Sequence, residues 1–87
     1  MRIFILDGNK MTDKKAAYEH IADVLLFPDY FGNNLDALED CLSELDENTV
    51  IILSNTEAMM KNLDEYGEKI LRVFKNGSDY SFSFVQQ

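Results

Sequence analysis

The chain has 87 residues, a formal net charge of −8 from 8 basic and 16 acidic side chains, and a hydrophobic share of 46%. That size fits one domain, residues 1–87, and that apolar share excludes an intrinsically disordered chain. No apolar run approaches the ~18 residues of a membrane span, the N-terminus does not read as a signal peptide, and the lone Cys41 leaves no internal disulfide, so a cytoplasmic location is expected.

Arg2-Ile-Phe-Ile-Leu6, closed by Asp7-Gly8, reads as a buried strand. Thr12 is a plausible cap for the following helix, with Asp13 in its first turn and Ala17, Ile21, Val24 and Leu25 as its buried stripe. His20 neighbours that stripe and is expected to be partly buried and hydrogen-bonded, since no second His or nearby Cys accompanies it as a metal ligand. Pro28 ends this helix.

Pro28 and Gly32 then punctuate a loop, and Asn33 or Asn34 can cap the next helix, spanning roughly residues 34–46. Leu35, Leu38, Leu42 and Leu45 form one helical stripe. At about 100° per residue, Asp36 and Asp40 lie on the opposite side. They are like charges at i and i+4, a pairing that costs a helix roughly 0.2–0.5 kcal/mol. Asp36 recovers part of this from the helix dipole and Asp40 little. The helix therefore carries two carboxylates that the fold does not require. Cys41 flanks the stripe and reads as a small packed hydrophobe.

Thr49-Val-Ile-Ile-Leu53 is a second strand, apolar on both faces and so central. Asn55 or Thr56 caps the next helical stretch, in which Met59, Leu63, Tyr66, Ile70, Val73 and Phe74 keep helical spacing. Asn62 with Glu65 resembles a second helix start and Gly67 weakens continuity, so two helices or one broken helix are expected. The Met59-Met60 pair reads as core filler. Asn76-Gly77 marks the turn out, and Tyr80, Phe82 and Phe84 alternate with Ser81, Ser83 and Val85 as a third strand. Helices between strands imply parallel pairing. The serine face of the last strand points to a sheet side that is only thinly covered. The expected fold class is thus α/β, two-layer, with a three-stranded parallel sheet and helices mainly on one face.

Charge is unevenly placed. No Lys or Arg occurs between Lys15 and Lys61, while that window holds ten acidic residues, Glu19 to Glu57. Nucleic acid and anionic membranes are poor partners for such a surface, and a cationic partner is favoured.

Leu26-Phe-Pro-Asp-Tyr-Phe-Gly-Asn-Asn-Leu-Asp-Ala-Leu-Glu-Asp-Cys-Leu42 resembles the signature of the barstar family of intracellular ribonuclease inhibitors. The pattern Pro-x-Tyr-x-Gly-x-Asn-Leu-Asp-Ala-Leu-x-Asp-Cys-Leu is matched without a gap, and weaker likeness extends over most of the chain. The resemblance implies a small basic, secreted-type ribonuclease as partner, no catalysis and no cofactor. It implies that Asp40 enters the nuclease's phosphate pocket and accepts bonds from its Arg and His groups. It matches Asp36 to a second acidic contact, Tyr30 to an aromatic contact, and Gly32 and Asn34 to positions that shape the helix start. Three positions depart from the best-known member: Glu39 stands for Trp, Phe31 for Tyr, and Asn76 for an acidic contact. With Glu44, the candidate partner-binding set is Tyr30, Phe31, Gly32, Asn34, Asp36, Glu39, Asp40, Glu44 and Asn76. No residue is assigned as catalytic or metal-binding, and a monomer is expected.

Two other readings compete. One is an acidic interaction module of the same fold whose basic partner is not a ribonuclease. The other is an enzyme in which Asp36, Glu39 and Asp40 hold Mg2+ or act as paired carboxylates. No phosphate-binding glycine loop and no nucleophile–base pair accompanies them.

Overall fold

A computed structural model describes residues 1–87. The elements are β1 (Arg2–Asp7), a 3₁₀ turn (Gly8–Lys10), α1 (Lys14–Leu25), α2 (Leu35–Ser43), β2 (Thr49–Ser54), α3 (Thr56–Leu63), α4 (Glu65–Ser78) and β3 (Ser83–Gln86). The strands form one parallel sheet in the order β1-β2-β3. The fold is α/β with a three-stranded parallel sheet, as the alternation of strands and helices implies.

Register decides which side of the sheet the helices cover. Phe4 pairs with Ile51 and Leu6 with Leu53, and Ile51 pairs with Phe84 on the other flank. These side chains point into the helices, and Leu6, Ile51 and Leu53 are fully buried. Their neighbours in the chain point the other way, because successive strand residues alternate faces. Ile3, Ile5 and Val85 are therefore exposed, at 57%, 59% and 43%. β1 is not the buried strand that its unbroken apolar run suggests; of its apolar residues only Phe4 and Leu6 are covered. β2 is central, and its open-side residues Val50 and Ile52 are half-buried between their neighbours.

Several boundaries differ from expectation. Asp13, not Thr12, caps α1, accepting the Ala16 N–H at 2.8 Å. Tyr18 joins Ala17, Ile21 and Leu25 in the buried stripe of α1, while Val24 is half-buried. The break between α3 and α4 falls at Asp64, with φ of 51°, and neither Asn62 nor Gly67 interrupts a helix. Asn55 starts α3 in the left-handed region without a side-chain cap, and the Thr56 hydroxyl donates back to the Leu53 carbonyl. Asn76-Gly77 does not form the exit turn; α4 runs through both residues to Ser78. β3 consequently starts at Ser83, and Tyr80 lies outside the sheet.

A single cluster of 15 buried residues ties β1, β2 and all four helices together. Leu38 and Leu42, at 0% and 1% exposure, insert α2 into it, and α2 packs along α4. Truncating a fully buried leucine removes apolar burial and leaves a cavity, typically costing about 2–5 kcal/mol. Leu38→Ala and Leu42→Ala should each lose that much in urea melts. Asp36→Ala should leave the melt nearly unchanged, because the removed charge is exposed and repelled by Asp40.

His20 fastens α1 to the end of β1. Its Nε2 accepts the Asp7 backbone N–H at 2.8 Å, which only a neutral imidazole nitrogen can do. Burial, and then the Lys10 ammonium, hold its pKa below the ordinary histidine value against the pull of Asp7 and Asp23. A base that titrates lower when folded takes up fewer protons than the unfolded chain as pH falls below about 6.5, so stability drops there. The urea midpoint should fall between pH 7.5 and pH 5.5. It should fall less in His20→Gln, whose amide oxygen can accept the same bond without titrating.

Candidate functional site

The loop between α1 and α2 is built by its aromatic residues. Leu26 caps α1 in the left-handed region, with φ of 60°, and the Phe27 N–H reaches back to the Ala22 carbonyl at 3.0 Å. The helix thus ends before Pro28, which then needs no donor. The Phe31 N–H donates to the Pro28 carbonyl at 3.0 Å and closes a turn. Phe27 and Phe31 pack ring to ring with centroids 5.0 Å apart, and Phe31 meets Tyr18 edge-on at 5.9 Å. Phe31 is therefore half-buried and faces inward, while Tyr30, at the tip of the turn, is 89% exposed.

Asn34 joins loop to helix with both ends of its amide. Its Oδ1 accepts the Ala37 N–H at 2.8 Å, and its Nδ2 donates to the Gly32 carbonyl at 3.1 Å. Asn33 takes the left-handed conformation, with φ of 51°, so that Asn34 can serve as cap. Asparagine accepts that region better than most non-glycine residues.

Asp36 and Asp40 are exposed on the side of α2 opposite the buried Leu38 and Leu42, Glu39 is exposed on the flank next to Leu42, and Glu44, which caps the helix end, is exposed as well. No ion pair or side-chain hydrogen bond within the chain engages any of these four carboxylates; the ion pairs are Arg2 with Asp46 and Lys15 with Glu19, each at 4.0 Å. The Ser43 hydroxyl donates to the Asp40 carbonyl at 2.6 Å and tightens the last turn beneath the carboxylates. Cys41 is half-buried, and burial followed by the Glu44 and Asp40 charges pushes its thiol pKa up, so it stays a neutral thiol at physiological pH.

Of the nine candidate contacts, Tyr30, Gly32, Asn34, Asp36, Glu39, Asp40, Glu44 and Asn76 are exposed, and Phe31 supports the loop from beneath. Asp36, Glu39 and Asp40 do not converge, and nowhere do three His, Cys, Asp or Glu side chains gather as they would around a metal ion. Glu39 on α2 and Asn76 on α4 instead line one groove of about 290 Å³, together with Leu42, Ser43, Val73, Gly77, Tyr80 and Ser81. The sequence reading missed this groove. Regular alternation assigns Tyr80 to a strand, whereas its N–H bonds to the Gly77 carbonyl at 3.1 Å and prolongs the turn of α4, leaving the residue 90% exposed.

The resemblance to known proteins runs along this whole arrangement. A Bacillus subtilis (strain 168) protein named "Putative ribonuclease inhibitor YrdF" is 35% identical over 80 residues, which is 91% of this chain and 88% of that protein. The family model described as Barstar (barnase inhibitor) matches residues 1–84, from β1 into β3 and across α2 and its loop. The chain therefore belongs to the Barstar (barnase inhibitor) family.

Proposed function

We propose that this protein inhibits a small basic ribonuclease by laying the acidic side of α2 and the preceding loop across the enzyme's active site. Asp40 carries the reading. Its carboxylate projects from a helix anchored by two buried leucines, and nothing within the chain neutralises it. A carboxylate held this way presents two oxygens in the geometry that an arginine fork accepts from a phosphate. Family membership and a relative named as a ribonuclease inhibitor point to the same target class. The protein then occupies the phosphate site, turns nothing over, and acts as a monomer in the cytoplasm with no cofactor.

The surrounding residues have distinct parts. Asp36 extends the negative surface towards the loop. Tyr30 supplies a rigid amphipathic ring, the kind of residue that dominates interface energies. Gly32, Asn33 and Asn34 fix where that ring sits relative to α2. Because this part of the loop is already hydrogen-bonded in the free protein, less ordering entropy opposes binding.

Ten acidic residues without a basic one between Lys15 and Lys61 should steer a cationic enzyme. That field is screened beyond about 8–10 Å at physiological ionic strength. Stopped-flow association with barnase should slow clearly between low and high salt; a flat response would remove the steering argument.

Asp40→Asn keeps the side-chain shape and deletes the charge. Removing one partner of a buried, hydrogen-bonded ion pair typically costs about 2–5 kcal/mol or more, most of it in the dissociation rate. Surface plasmon resonance against barnase should show that loss, RNA cleavage should resume at matched concentrations, and circular dichroism should show an unchanged melt. A variant that folds normally and still binds within threefold of wild type would exclude α2 as the inhibitory element. Capture of a basic protein that does not cleave RNA would support the non-ribonuclease module instead.

A further inference from the structure

Four non-glycine residues hold positive φ, and three of them are Asn33, Asn55 and Asp64, with short polar side chains that tolerate that region. The fourth is Leu26, with φ of 60° and ψ of 43°. The end of α1 needs this conformation, because it lets the Phe27 N–H return to the Ala22 carbonyl and turns the chain into the loop. It does not need a leucine. Glycine or asparagine makes the same backbone bonds at a smaller steric cost.

Solvation disfavours Leu26 as well. It is 79% exposed, belongs neither to the core cluster nor to the residues packed against it, and lines no cleft. Its neighbours Phe27 and Phe31 behave differently, turning their rings inward onto each other and onto Tyr18. Two large side chains of the segment are left in solvent, each one residue before an inward phenylalanine: Leu26 and Tyr30. A single exposed leucine is ordinary on a protein surface. A leucine that is both exposed and left-handed is not, since the free fold bears two costs there and gains no packing.

We infer that Leu26 is a second apolar contact of the inhibitory surface, burying its side chain against apolar atoms at the rim of the ribonuclease active site, alongside Tyr30. The inference rests on the inhibitor reading above. Chemistry narrows what Leu26 can meet. Its side chain has no polar atom and no charge, so it strengthens a complex only through apolar area removed from water. The rim of a basic phosphate site offers such area in aliphatic residues and in the stems of Lys and Arg. The backbone that presents Leu26 is already ordered, by the Phe27 bond on one side and the turn closed by Phe31 on the other. Binding then costs it little beyond side-chain freedom. The carboxylates of α2 suit any cationic enzyme, whereas an apolar contact at a fixed place discriminates among them by shape.

Binding of Leu26→Asn, Leu26→Met and Asp40→Asn to barnase should be measured by surface plasmon resonance at low and high salt, with a urea melt of each free variant. Leu26→Asn should weaken binding about tenfold, mainly in the dissociation rate. Its urea midpoint should equal or exceed that of wild type, because strain is relieved and no core contact is lost. Leu26→Met keeps apolar area on the same backbone and should bind within threefold of wild type. The Leu26→Asn factor should be the same at both salt concentrations, since no charge is involved. Lost affinity without lost stability is a pairing that a merely structural residue does not give. If Asp40→Asn loses roughly a hundredfold or more while Leu26→Asn stays within twofold, the Leu26 contact is overturned and the inhibitor reading stands. A lower urea midpoint for Leu26→Asn, an equal loss in Leu26→Met, or a loss that disappears at high salt also overturns it. If wild type does not bind, or Asp40→Asn binds like wild type, the inhibitor reading fails and the Leu26 contact fails with it.

Discussion

Tyr18 is the contact through which the fold and the loop hold each other. The residue is 1% exposed, and its ring meets Phe31 of the loop on one side and Tyr66 of α4 on the other, with centroids 5.9 and 6.2 Å away. Its hydroxyl is hydrogen-bonded to that of Tyr66, so a polar group at the edge of the core is satisfied. Burial, reinforced by that bond, pushes its pKa far above the ordinary tyrosine value, and the ring stays neutral. Lys14 lies 4.2 Å from the centre of the Tyr66 ring and covers the outer end of the row. Edge-to-face pairs of this kind contribute about 0.5–1.5 kcal/mol each beyond area burial. Without this row the segment from Leu26 to Asn34, which belongs to no strand or helix, would have little apolar contact to hold it.

That segment also carries two of the chain's four non-glycine residues with positive φ, Leu26 and Asn33. Such conformations cost of order 1–3 kcal/mol each unless the surroundings impose them. Here they are imposed from both ends: the Phe27 N–H and Tyr18–Phe31 contact at one, the Asn34 amide at the other. The cost is met by the core, and its product is a tyrosine held outward at the tip of a hydrogen-bonded turn. On the proposed reading, the ordering that binding would otherwise demand of this loop is completed during folding.

Much of this was legible in the sequence, for identifiable reasons. The leucine stripe and the opposed Asp36 and Asp40 depend only on helical periodicity, and the positions of Leu38, Leu42 and the carboxylates follow it. The central place of β2 followed from its apolar character on both faces. Failures came where a tertiary contact outweighed a local signal. Asn76-Gly77 is a common turn pair, yet both residues lie in α4, and the glycine at 77 leaves the space that the Phe82 ring occupies. Tyr80 keeps the strand alternation of Phe82 and Phe84, but α4's extra turn takes it out of the sheet. Ile3 and Ile5 look buried in sequence, because the unbroken apolar run of β1 carries no sign of the thinly covered sheet side that the serines of the last strand gave away. The groove was invisible for the same reason, since its walls are some thirty residues apart in the chain.

The division of labour on α2 has a thermodynamic consequence. Its buried side supplies stability; its exposed side supplies four unpaired carboxylates that repel one another and the acidic residues on neighbouring elements. In the free protein this repulsion is a standing cost, reduced by solvent and salt but not removed. A cationic partner removes it and adds attraction, so part of the binding free energy comes from relief of strain already present in the fold. On the proposed reading the partner binds the folded chain alone, and the same relief would reappear as added stability, growing with the logarithm of partner concentration over Kd. On that reading the acidic surface lowers stability in isolation and raises it in the complex. Neutralising Asp36 or Asp40 and truncating Leu38 or Leu42 would therefore act on opposite sides of this balance: the first would weaken the complex while relaxing the free fold, the second would leave the carboxylates in place on a less firmly anchored helix.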